Sequence, residues 1–164
     1  MGKIEEISSI ARPELGDNVP LFIFRAFRHF SADYVRKMLG RGAGVVFQNS
    51  GLELGREAGQ MLKKPTLEEY LPEVVRFVRD LKIGILKPHQ INDKVIQLGL
   101  DECITCAGMP PGGERICFFE VGFVAGLVEA FVDRRVRATE TLCNYMGEPT
   151  CQVTVDLTID AARG

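Results

Sequence analysis

The chain has 164 residues, 46% of them hydrophobic, and a formal net charge of −2. That length suits one domain with its own hydrophobic core, and that charge excludes bulk electrostatic attraction to nucleic acid or anionic lipid. The opening MGKIEEISSIARPELG has no apolar run of the signal-peptide kind, and the most apolar stretch, Cys117–Val132, carries Glu120 and Glu129 and is too short to span a bilayer. A cytoplasmic, reducing compartment is expected, with no membrane or nucleic-acid partner and with thiols that stay free or bind metal.

Taken in order, the first twenty residues read as an extended lead-in broken by Pro13, Gly16 and Pro20, with Asp17 or Asn18 placed to cap a helix starting near Pro20. Ile23, Phe27, Phe30, Tyr34 and Met38 recur at three- and four-residue steps, which predicts an aromatic-striped helix over Leu21–Leu39, ended by Gly40, Gly42 and Gly44. Val45–Phe47 suits a short strand or a first helical turn, and Leu52–Leu62 reads as helix. Thr66 and Glu69 make a capping box for a helix over Thr66–Leu81, in which Pro72 either introduces a kink or marks the true first turn. The period then changes. Lys82–Lys87 and Lys94–Leu100 predict a hairpin around a Pro88–Asp93 connection.

A loop, Cys103–Gly113, precedes the apolar run Cys117–Val132, which reads as a helix buried on nearly all sides. Gly122 and Gly126, four apart, let one of its faces meet another backbone closely. Val136–Thr141 is a strand candidate. In Cys151–Asp160, Val153, Val155, Leu157 and Ile159 alternate with Gln152, Thr154, Asp156 and Thr158, the pattern of a half-buried antiparallel strand. Helices dominate the first half, and strands with one helix dominate the second. The fold class is therefore α+β: N-terminal helices packed on a small antiparallel sheet, in a single domain spanning 1–164.

All five cysteines lie between positions 103 and 151. Cys117 opens the buried helix, Glu140 ends the following strand, Cys143 sits in the turn behind it and Cys151 opens the last strand. Those four points can converge, and three thiolates with one carboxylate fill a closed tetrahedral zinc shell of the structural kind. Buried cysteines without metal satisfy the same spacing. Cys103 and Cys106 form a C-x-x-C pair. It suits half of a zinc site, joining Cys143 and Cys151 and displacing Cys117 and Glu140, or a second metal shared across a dimer, or a redox couple, or an unliganded surface pair.

The segments Gly122-Phe123…Gly126, Glu140…Cys143 and Gly147…Cys151 resemble the 4-vinyl reductase domain family, whose hallmark is a GF-x-x-G helix, a strand ending in E-x-x-C and a G-x-x-x-C turn. The resemblance covers about 103–155. It implies a zinc ion held by Cys117, Glu140, Cys143 and Cys151, as in phenol-sensing members. It also implies a fold related to vesicle-tethering subunits and haem-NO-binding domains, a tendency to form homodimers, and binding of small hydrophobic molecules.

The aromatic helix is the expected wall of a ligand pocket, through Phe24, Phe27, Phe30 and Tyr34, with His29 placed to hydrogen-bond a phenolic or carboxylate group. The same rings suit plain core. The two histidines, His29 and His89, both lie outside the cysteine cluster, which disfavours a hydrolytic zinc centre, and no phosphate loop, dinucleotide fingerprint or nucleophile elbow is present. The expected function is a zinc-stabilised binding or sensor domain for a small hydrophobic or aromatic molecule. The alternatives are an enzyme or accessory factor of tetrapyrrole metabolism and a dimeric assembly module.

Overall fold

Two parallel helices that touch backbone to backbone organise the chain. In the computed structural model, which describes residues 2–158, they are α3 (Gly42–Leu62) and α5 (Phe118–Val132). Gly51, Gly55 and Gly59 of α3 face Phe119, Phe123 and Leu127–Ala130 of α5, while Gly122 and Gly126 face Gln48 and Leu52. The contacts advance together along both helices, so the two run in the same direction. A methyl group on Gly122 or Gly126 would collide with the carbonyl of Gln48 or Leu52. The close approach anticipated for α5 is real, and α3 supplies the matching glycines. This packing also explains why Val45–Phe47 is helical and not a strand: contact with α5 outweighs weak local propensity.

The other helices are α1 (Lys3–Ile7), α2 (Leu21–Leu39) and α4 (Leu67–Asp80). The extended lead-in is corrected by α1, a short helix with Glu5 and Glu6 in its first turn; the Ile4 amide donates to Glu57 Oε1 of α3 at 2.8 Å. Neither Asp17 nor Asn18 caps α2. Pro20 takes that position, and Asn18 Nδ2 instead donates to Asp17 Oδ1 at 3.3 Å. Thr66 caps α4 as expected, its hydroxyl accepting from the Glu69 amide at 3.3 Å. Pro72 lies inside that helix.

Four antiparallel strands form one sheet in the order β1-β2-β4-β3, with β1 Ile85–Ile91, β2 Val95–Asp101, β3 Arg137–Leu142 and β4 Cys151–Asp156. The hairpin is present, but β1 runs through Pro88 to Ile91 instead of ending before it. An edge strand tolerates proline, and the register shifts between Pro88 and Gln90. The Asn92 side chain closes the turn by accepting from the amides of Lys94 and Val95 at 2.9 Å each. β4 ends at Asp156, earlier than the alternation suggested, and Ile159 and Asp160 lie outside the described residues.

The sheet has one dry face and one wet face. Ile96, Leu98 and Leu100 pair with Val155, Val153 and Cys151 on the buried side, where Val74 and Val78 of α4 and much of α5 join the same core. On the other face Gln97, Thr141 and Thr154 hydrogen-bond across strands at 3.2 Å. Glu140 pairs with Val153, so strand alternation turns its carboxylate inward, beside Cys151.

Candidate functional site

The elements bring all five cysteines to one point at the end of the sheet, beside the start of α5. Cys103 and Cys106 sit on a tight turn after β2, where the amides of Cys106 and Ala107 donate to the Cys103 carbonyl at 3.2 and 2.9 Å. Cys117 is the N-terminal cap of α5. Cys143 begins a single 3₁₀ turn, Asn144–Met146, closed by Gly147 at φ 85°, a conformation that favours glycine. Cys151 opens β4. All five are free and buried, none more than 3% exposed.

Their sulfur atoms lie close together. Cys117 Sγ is 3.5 Å from Cys106, 3.9 Å from Cys151, and 4.0 Å from both Cys103 and Cys143. Cys106 and Cys151 are 3.2 Å apart. Two four-donor shells emerge, Cys117/Glu140/Cys143/Cys151 and Cys103/Cys106/Cys117/Cys151, each with ligand atoms within 4.8 Å of one another. The sequence offered the C-x-x-C pair with Cys143 and Cys151, in place of Cys117 and Glu140; the structure instead groups the pair with Cys117 and Cys151, which are common to both shells, and buries it.

The electrostatics suit a cation. Crowded thiols cannot all ionise without one. Hydrogen bonding from Cys106 pulls Cys103 and Cys143 well below the usual thiol range. The thiols of Cys117 and Cys151 are pushed far up, chiefly by their contact with Cys103, and so is that of Cys106. Burial is the main cause that raises Glu140 to about 9. Both of its carboxylate oxygens are buried, with no hydrogen-bond partner among the described residues. A buried carboxylate left in that state is costly, and a metal ion is a partner that would satisfy it. The residues present therefore fit a thiophilic divalent metal such as zinc.

A solvent-connected cavity of about 640 Å³ adjoins the cluster. It is walled by Arg28, His29, Ala32, Asp33 and Arg36 of α2, by Ala43, Gly44 and Phe47 of α3, and by Ile116, Phe118 and Tyr145 on the cluster side. Of the five residues expected to form a pocket, only His29 lines it. Phe24 is half-buried elsewhere, while Phe27, Phe30 and Tyr34 are 77, 79 and 65% exposed on the outer face of α2. The aromatic stripe is thus neither pocket wall nor core within this chain. The polar residues between the rings are what turn inward.

Those inward residues form a clamp that the sequence reading largely missed. Arg25 donates to the carbonyls of Ile104 and Ala107, both at 2.8 Å, and to that of Cys103 at 3.5 Å. Arg28 donates to the Ile116 carbonyl at 3.4 Å and stacks over the Phe47 ring at 4.7 Å. His29 Nε2 lies 3.1 Å from the Thr105 carbonyl; since a carbonyl only accepts, that nitrogen carries the proton. Behind the loop, the fully buried Thr105 hydroxyl donates to Glu120. Glu120 faces Arg28 at 4.0 Å, and desolvation raises its carboxyl to about 7. The available signal was the pairing of Glu120 with an arginine of α2; nothing local marks Arg25 as a backbone clamp.

The profile of the 4-vinyl reductase domain matches residues 96–157, the stretch from β2 to just beyond β4 that holds every cysteine. Uncharacterized protein MJ0150 of Methanocaldococcus jannaschii is 32% identical over 94% of this chain and 86% of its own length. A second protein of that organism, MJ1642, also uncharacterized, is 30% identical over 88% and 81%.

The chain belongs to the 4-vinyl reductase domain family.

The solved structures agree on the fold of this 4-vinyl reductase domain. The phenol-responsive sensory domain of the transcription activator PoxR, determined with phenol, superposes with a TM-score of 0.65 at 14% identity, covering 86% of this chain and 76% of that one. A trafficking protein particle complex subunit 3 from Naegleria fowleri, covalently bound to palmitic acid, gives 0.60 at 12% identity over 83% and 95%. A vinyl-4-reductase family protein from Methanocaldococcus jannaschii gives 0.56 at 19% identity over 87% and 84%. Among the described residues no helix is long and apolar enough to cross a membrane.

Proposed function

We propose that this 4-vinyl reductase domain is a binding or sensor domain for a small apolar or aromatic molecule, stabilised by zinc and acting as a homodimer. The observation that carries the reading is the shared wall between cavity and cysteine cluster. Ile116 and Phe118, the neighbours of Cys117, both line the cavity, as does Tyr145 from the turn between Cys143 and Cys151. A molecule in the cavity would therefore press on the segments that hold the metal donors. Two domains of the same fold were solved with phenol and with palmitic acid, which supports an apolar or aromatic occupant.

Cys117, Glu140, Cys143 and Cys151 would hold the zinc. When bound, such an ion neutralises the thiolates and ties together a helix start, a strand end, a turn and a strand start. In the cavity, Phe47, Ile116 and Phe118 offer apolar contact, while Arg28 and His29 present polar groups that would orient a hydroxyl or carboxylate. The exposed stripe of α2 supports the dimer. Phe22, Phe27, Phe30, Tyr34 and Met38 present a continuous apolar face to solvent, and the same face on a second chain is its own complement across a two-fold axis.

Native mass spectrometry of the untagged protein, purified without chelator and titrated with phenol, tests the reading. Bound metal with saturable uptake of one phenol per chain, weakened in His29→Ala, supports it. Metal-bound protein that takes up neither phenol nor a medium-chain fatty acid overturns the ligand-binding role. Protein that is stable without any metal overturns the zinc.

A further inference from the structure

We propose that the cysteine cluster is a two-ion thiolate centre, in which Cys117 and Cys151 bridge two divalent metal ions. It rests on the four-ligand reading given above and adds a second ion to it. Cys143 and Glu140 complete the first ion's shell. Cys103 and Cys106 complete the second.

The donor count carries the idea. Two tetrahedral ions sharing an edge need eight coordination positions, filled by four terminal donors and two bridging sulfurs that each count twice. The cluster offers six donors, and they divide in that way: both four-donor shells contain Cys117 and Cys151, and each adds two donors that the other lacks. In a tetrahedral zinc–thiolate shell, bonds of about 2.3 Å put neighbouring sulfurs roughly 3.8 Å apart. The sulfur separations of 3.2, 3.5, 3.9, 4.0 and 4.0 Å bracket that edge. The shared Cys117–Cys151 edge, at 3.9 Å, is close to it.

A single ion leaves a residue of unexplained structure. Cys103 and Cys106 would remain as thiols with no exposed surface, on a loop that Arg25 grips through three carbonyls. That rigidity serves little if the pair only fills space, but it presents two sulfurs to a common point. Charge is consistent with two ions as well. Five thiolates and one carboxylate carry −6, two divalent ions +4, and the remaining −2 sits beside the guanidinium groups of Arg25 and Arg28, which bond to carbonyls flanking Cys103, Cys106 and Cys117. Each thiol releases its proton to solvent on binding, and no oxidation state changes.

The test is metal stoichiometry on the full chain. Apo protein is titrated with Co²⁺ under anaerobic conditions, following thiolate-to-cobalt absorbance, and zinc per chain is counted by native mass spectrometry. The proposal expects absorbance that breaks at two equivalents, two zinc ions per chain, and one ion in the Cys103→Ser/Cys106→Ser double variant. It also expects a smaller paramagnetic signal per cobalt in the wild type than in that variant, because sulfur-bridged ions couple. A break at one equivalent, with one zinc in wild type and variant alike, overturns the two-ion centre and leaves the four-ligand site standing. No metal in either protein overturns both. Acid-labile sulfide in the purified protein also overturns it, since inorganic sulfide would then take the bridging role of Cys117 and Cys151. The wild-type titration decides the matter even where the double variant fails to fold.

Discussion

Helices α5 and α2 both carry conspicuous runs of large apolar residues, and the structure treats them in opposite ways. From Glu120 to Ala130 every residue of α5 is buried, and its glycine seam lets α3 approach to backbone contact. None of the described residues of α2 is fully buried. Its apolar stripe faces solvent, while Arg25, Arg28 and His29 face inward and bond to main-chain carbonyls. An apolar helical stripe therefore marks a face that needs covering, without saying whether the same chain covers it.

The largest effect is expected at the junction where α5 begins at Cys117. A structural zinc ion couples ~10 kcal/mol to folding in small zinc modules, so Cys143→Ser or exhaustive chelation is expected to lose metal and most of the stability together. Thermal melting paired with metal analysis reads this. An unchanged melt after complete metal removal would mean that α5 holds the cluster region in place unaided. The seam comes next. Gly126→Leu drives a side chain into the backbone of Leu52 and Arg56, and should cost about 4 kcal/mol or more, since main chain cannot step aside as a side chain does. Urea denaturation measures it. Tolerance of leucine there would show that α3 and α5 can separate, removing the contrast with α2.

How much of this the sequence carried depends on distance along the chain. The last strand, the capped α4 and the buried α5 are local patterns, and Val153, Thr66 and Gly126 announce them. The family hallmark lies within a stretch of consecutive elements, and so Cys117, Glu140, Cys143 and Cys151 were legible as a candidate set. The meeting of Cys103 and Cys106 with Cys117 depends on how the loop after β2 folds back, and C-x-x-C spacing is compatible with several partners. The direction of α2 was illegible for a different reason. Period 3.6 shows that Phe27, Phe30 and Tyr34 share a face, but the choice of inward face was made by carbonyls of residues 103–107, more than seventy positions away. Val45–Phe47 was ambiguous because short β-branched runs fit either structure until a partner helix is known.

Glu120 of α5 lies where α5 and α2 approach each other. It is an acid in the apolar wall of α5, opposite Arg28 of α2 at 4.0 Å. Its carboxyl is raised to about 7 from an ordinary 4.5, chiefly by burial. A raised acid favours the folded state while protonated, so the penalty begins as pH rises past the ordinary value and is complete above about 7. The shift corresponds to about 3 kcal/mol between those limits. The stability of Glu120→Gln relative to wild type is therefore expected to increase from pH 5 to 7 and then level off. A pH-independent difference would mean that Arg28 neutralises the carboxylate fully. A smaller effect is expected from Arg25→Met, which keeps the aliphatic bulk but removes the guanidinium bonds to Cys103, Ile104 and Ala107. About 2 kcal/mol is reasonable for losing charged hydrogen bonds at a part-buried site. The amides of residues 103–107 should exchange faster with solvent, while those of α5 stay protected.

The smallest effect on the folded chain falls on the outer face of α2, and there the two helices predict opposite behaviour for similar residues. In α5, truncating Phe123 to serine removes a buried ring, 5% exposed, and should cost on the order of 4 kcal/mol. In α2, Phe30→Ser removes a ring that is 79% exposed, and the stability of an isolated chain should move by less than about 0.5 kcal/mol. If a second copy covers that stripe, Phe30→Ser will nevertheless shift the protein from dimer to monomer in light scattering and make wild-type stability, but not the variant's, depend on protein concentration. A wild type that is monomeric at every concentration, with stability indifferent to Phe30→Ser, would leave the stripe uncovered by its own kind and remove the homodimer. A concentration-dependent wild type with an unaffected variant would place the dimer contact elsewhere. The ring is large and its own chain gives it almost nothing to touch, so stability measured against concentration isolates what a partner contributes from what the fold contributes.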